Sequence, residues 1–386
     1  MGLLITIWLL MKSRNLINNS KVNKTSGCLL PRHKLVARGL SLIDIIIGML
    51  IGAFAIIIIL QVLFLSEGQK RTTTSASEAQ INGAVALFEL KRDIGQSGYG
   101  ISTLNLMGCN VTGKGYFLPS GVQLPMAPVI INPSTSIIPA GDANTDTLLV
   151  FYGNSASSPE GDGVTSSSSN TSYSVQTSTS FINTEAVIAV PLINVSPCSL
   201  ILDKISSIDI DTSNQVVTVS AGVAGMTNGK LFNLGLSPTI RAYAVRNGNL
   251  TVCDYYAKST DSTTDCSVLA NWQTFVSNIV SLRAEYGQDT SVPMDGIVDS
   301  YSQLMPAVSS TVGCNYARIS AVRMVVVARS NQYERELVTT SAPQWMSTTT
   351  AINLSNNTTW QHYRYTTFQA VAPLRNITWL GVSTGC

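Results

Sequence analysis

Histidine is nearly absent from the 386 residues, which hold two, His33 and His362. No Cys-x-x-Cys pair, His-Glu-x-x-His run, Gly-x-Ser-x-Gly elbow or phosphate-binding Gly-Lys-Ser/Thr loop occurs. These absences argue against a zinc centre and against the common nucleophile and phosphate motifs. Charge is scarce as well, at 12% of residues, while Ser and Thr are abundant. That balance suits an exported, β-rich surface better than a helical cytosolic enzyme. No Asp or Glu precedes Asp44, and no proline lies between Leu40 and Gly100. The first gap leaves a purely basic leader. The second leaves a long stretch in which nothing stops a helix.

The leader carries Lys12, Arg14, Lys21, Lys24, Arg32, Lys34 and Arg38. These are 7 of the 24 basic residues in the chain, with none of the 22 acidic ones; the remainder has 17 basic against 22 acidic, a net of −5. A mildly acidic remainder gives no basic patch for nucleic acid, and no direct nucleic-acid binding is expected. Gly2 to Leu10 is apolar but too short to span a bilayer, so Met11 is read as an alternative start to Met1. Leu40 to Leu65 is a run of 26 residues whose one charge is Asp44. About 20 apolar residues cross a membrane. The basic leader is then expected on the cytoplasmic side, with the rest of the chain across it. A carboxylate within such a span costs about 2.5–3.5 kcal/mol on insertion scales and is usually functional.

Seven cysteines occur: Cys28 in the leader, then Cys109, Cys198, Cys253, Cys266, Cys314 and Cys386. Six beyond a membrane anchor fit an oxidising compartment and up to three disulfides. Fifteen pairings are open to six cysteines, and spacing favours one bond only, Cys253 with Cys266 across a short polar loop. Cys109 with Cys198 and Cys314 with Cys386 complete one arrangement to be tested.

Thr72 to Gln96 carries apolar residues at Ile81, Val85 and Phe88, and at Leu87, Leu90 and Ile94. These are helical spacings and predict a one-sided helix. Further on, short β-branched or aromatic runs recur at Thr145–Tyr152, Ala186–Val195, Val216–Ser220, Ile240–Val245, Leu250–Tyr256, Ile279–Tyr286 and Ile319–Ala328. Asn247-Gly248-Asn249 reads as a tight hairpin. Asn154 to Ser180, rich in Ser, Thr and Gly, reads as a loop. The fold class expected is α+β: a long amino-terminal helix followed by a large, mainly antiparallel β head. The divisions expected are 1–39 leader, 40–65 transmembrane half of the helix, 66–98 amphipathic half, and 99–386 head.

Arg38-Gly39-Leu40-Ser41-Leu42-Ile43-Asp44 resembles the cleavage signal of type IV prepilins. The resemblance implies cleavage after Gly39 by a prepilin peptidase and a methylated amino terminus at Leu40. Asp44 would then be the fifth residue, neutralising a neighbouring subunit's terminus during assembly. The usual acid is Glu, and Leu40 replaces the commoner Phe. Further along, Arg92-Asp93-Ile94-Gly95-Gln96-Ser97-Gly98-Tyr99 is similar to a helix-end signature of the PilW family. Cys109, Thr145-Asp146-Thr147-Leu148 and Ser196-Pro197-Cys198 follow in that family's order. Val276–Tyr301, Ala321–Ser330 and Tyr363–Asn376 resemble its later blocks.

The chain is thereby identified as resembling a PilW-family minor pilin. This implies an inner-membrane protein with a periplasmic head that later joins a surface pilus. The partners it implies are other minor pilins, the major pilin and often a large tip adhesin, in fibres serving motility, adhesion or DNA uptake. A type II secretion pseudopilin is the alternative, and a membrane-anchored exported enzyme a remote one. No cofactor, catalytic residue or metal is expected. Asp289, Asp295 and Asp299 are the calcium candidates. Ser291-Val292-Pro293-Met294 replaces much of the oxygen-rich run that a site of six to eight oxygens would need, which favours a plain turn. Arg92 is expected to tend the helix end and Asp93 to bond nearby backbone. His362 and the tryptophans Trp272, Trp345, Trp360 and Trp379 are expected to be packing residues, His362 within a strand.

Overall fold

The computed structural model describes residues 41–114, 116–176, 180–193, 198–210, 215–257, 262–345, 351–383 and 386. The leader, the Gly39–Leu40 junction and Ser196-Pro197 lie outside them. The chain divides into two units, Met1–Phe64 and Leu65–Cys386. Helix α1 (Leu42–Gln96) contributes to both.

In the second unit the strands run as follows. First come β1 (Asn110–Gly113), β2 (Gln123–Pro125), β3 (Val129–Ile131), β4 (Leu148–Tyr152), β5 (Asp162–Ser167) and β6 (Ser172–Val175). They continue with β7 (Ala186–Val190), β8 (Ser199–Ile210), β9 (Gln215–Val219), β10 (Lys230–Gly235), β11 (Thr239–Arg246) and β12 (Asn249–Asp254). Then follow β13 (Tyr256–Ala257), β14 (Ser262–Thr263), β15 (Gln273–Val276), β16 (Ile279–Gln288) and β17 (Ser300–Ser302). A short helix α2 (Val312–Ala317), β18 (Ile319–Arg329), β19 (Tyr365–Pro373) and a last turn α3 (Arg375–Thr378) complete it.

The strands form sheets of order β2-β1-β8-β7-β10-β5-β6-β9, β15-β12-β11-β4-β3 and β17-β16-β18-β19, with a small β13-β14 ribbon. β1 and β8 pair in parallel. The other ladders among the described strands are antiparallel. This is the α+β arrangement expected from the sequence.

Side chains alternate across a strand, so an unbroken apolar run marks a strand covered on both faces. In β4, Leu148, Val150 and Tyr152 enter the core beneath α1, while Leu149 and Phe151 enter a second core. β11 divides likewise, with Tyr243 and Val245 on the first side and Ile240 and Ala242 on the second. β7 separates the second core (Ala186, Ile188, Val190) from a third (Val187, Ala189). β18 sends Met324 and Val326 toward the helix core, and Val325 and Val327 toward a cluster with Trp345, Ile352 and Leu354.

The Asn247-Gly248 turn joins β11 to β12 with both residues at positive φ, 51° and 69°. Arg246 faces Asn249 across it, so the loop has two residues. Asn-Gly suits that primed geometry.

Two expectations need correction. Asn154–Ser180 is not a single loop, because it contains β5 and β6. There Val164 pairs with Val175 and is buried with Tyr173, so a few apolar residues among many hydroxyls suffice to fix the hairpin. The helix stripe is also different. Ile81, Val85 and Phe88 are 59%, 45% and 68% exposed. The buried face is Ser75, Ala79, Gly83, Ala86, Leu90, Asp93 and Ile94. Small residues let the helix approach the sheet: a Cβ at Gly83 would sit 2.1 Å from the Phe368 ring.

Candidate functional site: one helix, two acids

In the first unit, Leu42–Phe64 is helical and exposed throughout. Leu42, Met49, Ile51, Leu63 and Phe64 each present most of their surface. By length and composition this helix can cross a membrane. Asp44 sits in its first turn, its backbone N–H donating to Ser41 O at 3.0 Å. An acid there complements the positive end of the helix dipole. Its carboxylate has no side-chain partner among the described residues.

In the second unit, Asp93 is completely buried. It does not bond backbone, as the sequence suggested; it gathers side chains from three elements. The Tyr152 hydroxyl donates to Oδ1 at 3.1 Å and the Tyr243 hydroxyl to Oδ2 at 2.6 Å. Arg241 Nη1 donates to Oδ2 at 2.9 Å, and Arg92 Nη2 to Oδ1 at 3.1 Å. Arg92 also pairs with Glu89. Arg241 reaches Glu89 at 3.3 Å and, through Nη2, Asp254 at 3.3 Å.

Burial alone would lower the Arg241 pKa, but Tyr243, Asp93 and Asp254 reverse this and raise it, so the guanidinium stays charged. Burial raises the Tyr243 phenol, and the Asp93 charge adds to it. Burial also pushes Asp254 up to about 6, against the opposing pull of Arg241. The ensemble is a lock: a buried carboxylate is tolerable because four donors compensate it. Nothing in it resembles a nucleophile poised beside a base.

The cysteines pair as Cys109–Cys198, Cys253–Cys266 and Cys314–Cys386, with Cα separations of 4.7, 5.7 and 5.1 Å. The first clamps the start of the parallel β1–β8 pair, where Asn110 faces Ser199. In the chain-entropy view, loops of these lengths contribute about 3 to 4.7 kcal/mol each.

The calcium candidates are engaged by the protein itself. Asp289 is buried and accepts the N–H groups of Ser291, Asp295 and Gly296 at 3.1, 2.9 and 2.6 Å. Arg318 lies 3.6 Å from its Oδ1. Asp299 accepts N–H and hydroxyl groups of Thr290 and Ser291, and the backbone N–H of Thr290 leads the bonds that lower its pKa. Asp295 Oδ1 accepts the Ile297 N–H at 2.9 Å. Among the described residues, no group of three or more His, Cys, Asp or Glu side chains could hold a metal.

His362 belongs to a 3-10 turn, not a strand; its Nδ1 lies 2.8 Å from Glu334 O and its ring stacks on Tyr333. Trp345 is buried and the Trp272 Nε1 donates to Cys266 O, but Trp379 is 85% exposed and packs little.

A long apolar helix followed by a disulfide-linked antiparallel head defines an α+β protein whose helix is long and apolar enough to anchor it in a membrane. A family resemblance is found in the carboxy-terminal part. Residues 242–376 match the family model PilW, Type IV Pilus-assembly protein W, so this part of the chain is similar to that family. The match begins within β11 and takes in Tyr243, Asp254, β16, β18 and β19. Comparison with curated proteins and with solved structures gave no match.

Proposed function

We propose that this chain is a minor pilin, cleaved after Gly39 by a prepilin peptidase and assembled through its helix with other pilins to initiate or cap a fibre. The observation that carries the reading is the exposed apolar face of Leu42–Phe64, broken by one acid, Asp44. Such a surface is stable in lipid or against other apolar helices, not in water. In a bundle of neighbouring helices, an ammonium group at a neighbour's terminus and the Asp44 carboxylate offset much of each other's desolvation. Ile81, Val85 and Phe88 offer a second exposed apolar stripe at i, i+4 and i+7 for a partner helix. The head is bulky for dense packing along a shaft, which favours a scarce subunit at the tip. An inner-membrane location before assembly, a periplasmic head and contacts with minor pilins, the major pilin and a tip adhesin follow from this reading.

Mass spectrometry of the protein from its native membrane is expected to find an N-methylated Leu40 at the amino terminus. A chain beginning near residue 66 would mean removal of the apolar segment and would overturn the proposal. Asp44→Ala is expected to insert normally but to be depleted at least tenfold from sheared pili. Wild-type incorporation of that variant would show that Asp44 does not pair in the fibre.

A further inference from the structure

A cavity of about 440 Å3 lies where the β11–β12 turn, the end of β18 and the segment Asn353–Asn357 meet. That volume is in the usual range for small-ligand sites. Its hydrogen-bonding capacity is lopsided. Asp142 is committed to the turn, where its two oxygens accept the backbone N–H groups of Asn247 and Gly248 at 2.9 and 2.8 Å. The side-chain carbonyl of Asn353 accepts the Ser355 N–H at 2.9 Å. That of Asn357 accepts the N–H and hydroxyl of Thr359 at 3.0 and 2.7 Å. Among the described residues, what remains without a partner is the Asn247 side-chain amide and a larger set of donors: the amide NH2 groups of Asn353 and Asn357, the Tyr365 hydroxyl and the Arg329 guanidinium.

Arg329 is the anomaly. The other arginine with its side chain on the same face of β18, Arg323, is paired with Glu285. Arg329 has no carboxylate within ion-pair distance among the described residues. Its Nε is buried and donates to nothing. Its guanidinium carbon lies 4.7 Å from the Tyr363 ring centre, and one terminal nitrogen lies 3.8 Å from where a Cβ on Gly248 would be. The ring and the bare turn hold the fork in place. A buried donor left unmade is a rare and costly feature that calls for an explanation. Burial pushes the Tyr365 phenol up to about 12, against the pull of Arg329, so it stays a protonated donor.

We propose that this cavity binds an acidic saccharide, with a uronate carboxylate on Arg329 and ring or hydroxyl oxygens on Asn353, Asn357 and Tyr365. The guanidinium fork matches a carboxylate in two bonds, which an ammonium cannot do. The neutral donors come from separate segments around the cavity, as a ligand with oxygens on several sides requires. The proposal rests on the head alone and is independent of how the helix assembles.

The test is calorimetric titration of the full chain in detergent micelles with trigalacturonate, its fully methyl-esterified form, and a tripeptide of glutamate. Saturable binding of trigalacturonate is expected, with the ester at least tenfold weaker. Arg329→Gln is expected to weaken binding at least tenfold, Arg329→Lys less, and Asn357→Ala severalfold. If Arg329→Gln fails to fold, the Asn353→Ala/Asn357→Ala double variant carries the test, with a loss of at least tenfold expected. No binding of trigalacturonate at millimolar concentration, equal binding of the ester, or indifference to the variants would overturn the proposal. Tighter binding of the acidic peptide would overturn it too, and would assign the cavity to a protein partner.

Discussion

Asp44 and Asp93 are acids on the same helix, and their surroundings are opposite. Asp93 is enclosed by Tyr152, Tyr243, Arg241 and Arg92, so its charge is neutralised within the chain. Asp44 lies exposed among isoleucines and leucines, with no side-chain partner among the described residues. The residues around each acid follow the same division. Near Asp93 the buried helix face is small, Ala79, Gly83 and Ala86, because a sheet lies against it. Near Asp44 the side chains are large and exposed on every side, as lipid or several partner helices would require. A charge in an apolar setting is therefore read through what compensates it. Where the compensation is internal, the acid contributes to folding. Where none is internal, the fold leaves the charge to be compensated by something outside the chain.

That contrast breaks most visibly at Asp93. Asp93→Ala is expected to cost about 3–5 kcal/mol, since it leaves two buried hydroxyls without their acceptor and takes from Arg241 the most buried of its three acids. Asp93→Asn, which keeps the shape and one acceptor, is expected to cost less. Asp44→Ala is expected to leave the stability of the head unchanged. Thermal unfolding of the full chain in micelles, followed by near-ultraviolet circular dichroism, checks all three. Equal losses from Asp44→Ala and Asp93→Ala would erase the distinction between the two acids.

A smaller effect is expected at Gly83, where the head packs closest to the helix. Gly83→Val must displace the Phe368 ring, and overpacking of this kind costs about 1–3 kcal/mol. The gain in helix propensity from removing glycine returns part of this, under about 1 kcal/mol. A net loss of about 1–2 kcal/mol is expected from these two terms. Phe368→Ala in the Gly83→Val background should recover part of the loss if the contact is its source. Additive losses would place the cost elsewhere.

Much of the architecture is legible in the sequence because it is local. The apolar run after Gly39 and the absence of proline mark α1; β4 and the Met324–Ala328 part of β18 are apolar on both faces, while β16 alternates; Asn247-Gly248 marks its own turn. The site at Asp93 is not local. Its partners lie 59, 148 and 150 residues away, and no spacing rule joins a helix to two distant strands. One signal was present: Arg241 and Tyr243 are two apart in a strand and so share a face, an unusual pair to place over an apolar core. The stripe of Ile81, Val85 and Phe88 misled for a related reason. Hydrophobic spacing shows that a face is apolar, not whether the chain itself or another molecule covers it. The donors around Arg329 also meet only through the fold, since they come from β18, β19 and the segment between them.

The last effect expected is a pH dependence set by Asp254. Its carboxyl is held at about 6, whereas an unfolded Asp titrates near 3.9. The folded state therefore holds a proton that the unfolded chain has released between about pH 4 and pH 6. A raised carboxyl pKa means the charged form is disfavoured in the fold. This group's contribution is full below about pH 4, and stability falls as pH rises through about 6. The span is about 2 pKa units, or at most about 3 kcal/mol. Asp254→Asn keeps an oxygen for the Tyr256 N–H, which Asp254 Oδ1 accepts at 3.2 Å, and removes the titration. The variant is expected to show a flatter unfolding midpoint between pH 4 and pH 6 than the parent chain, and to lose no stability at pH 7. Its charge is one of three acids around Arg241, so Asp93 and Glu89 still neutralise the guanidinium. A large loss at pH 7 would mean that Arg241 depends on Asp254 rather than on Asp93, and the lock at the helix end would then be centred on β12 instead of on α1.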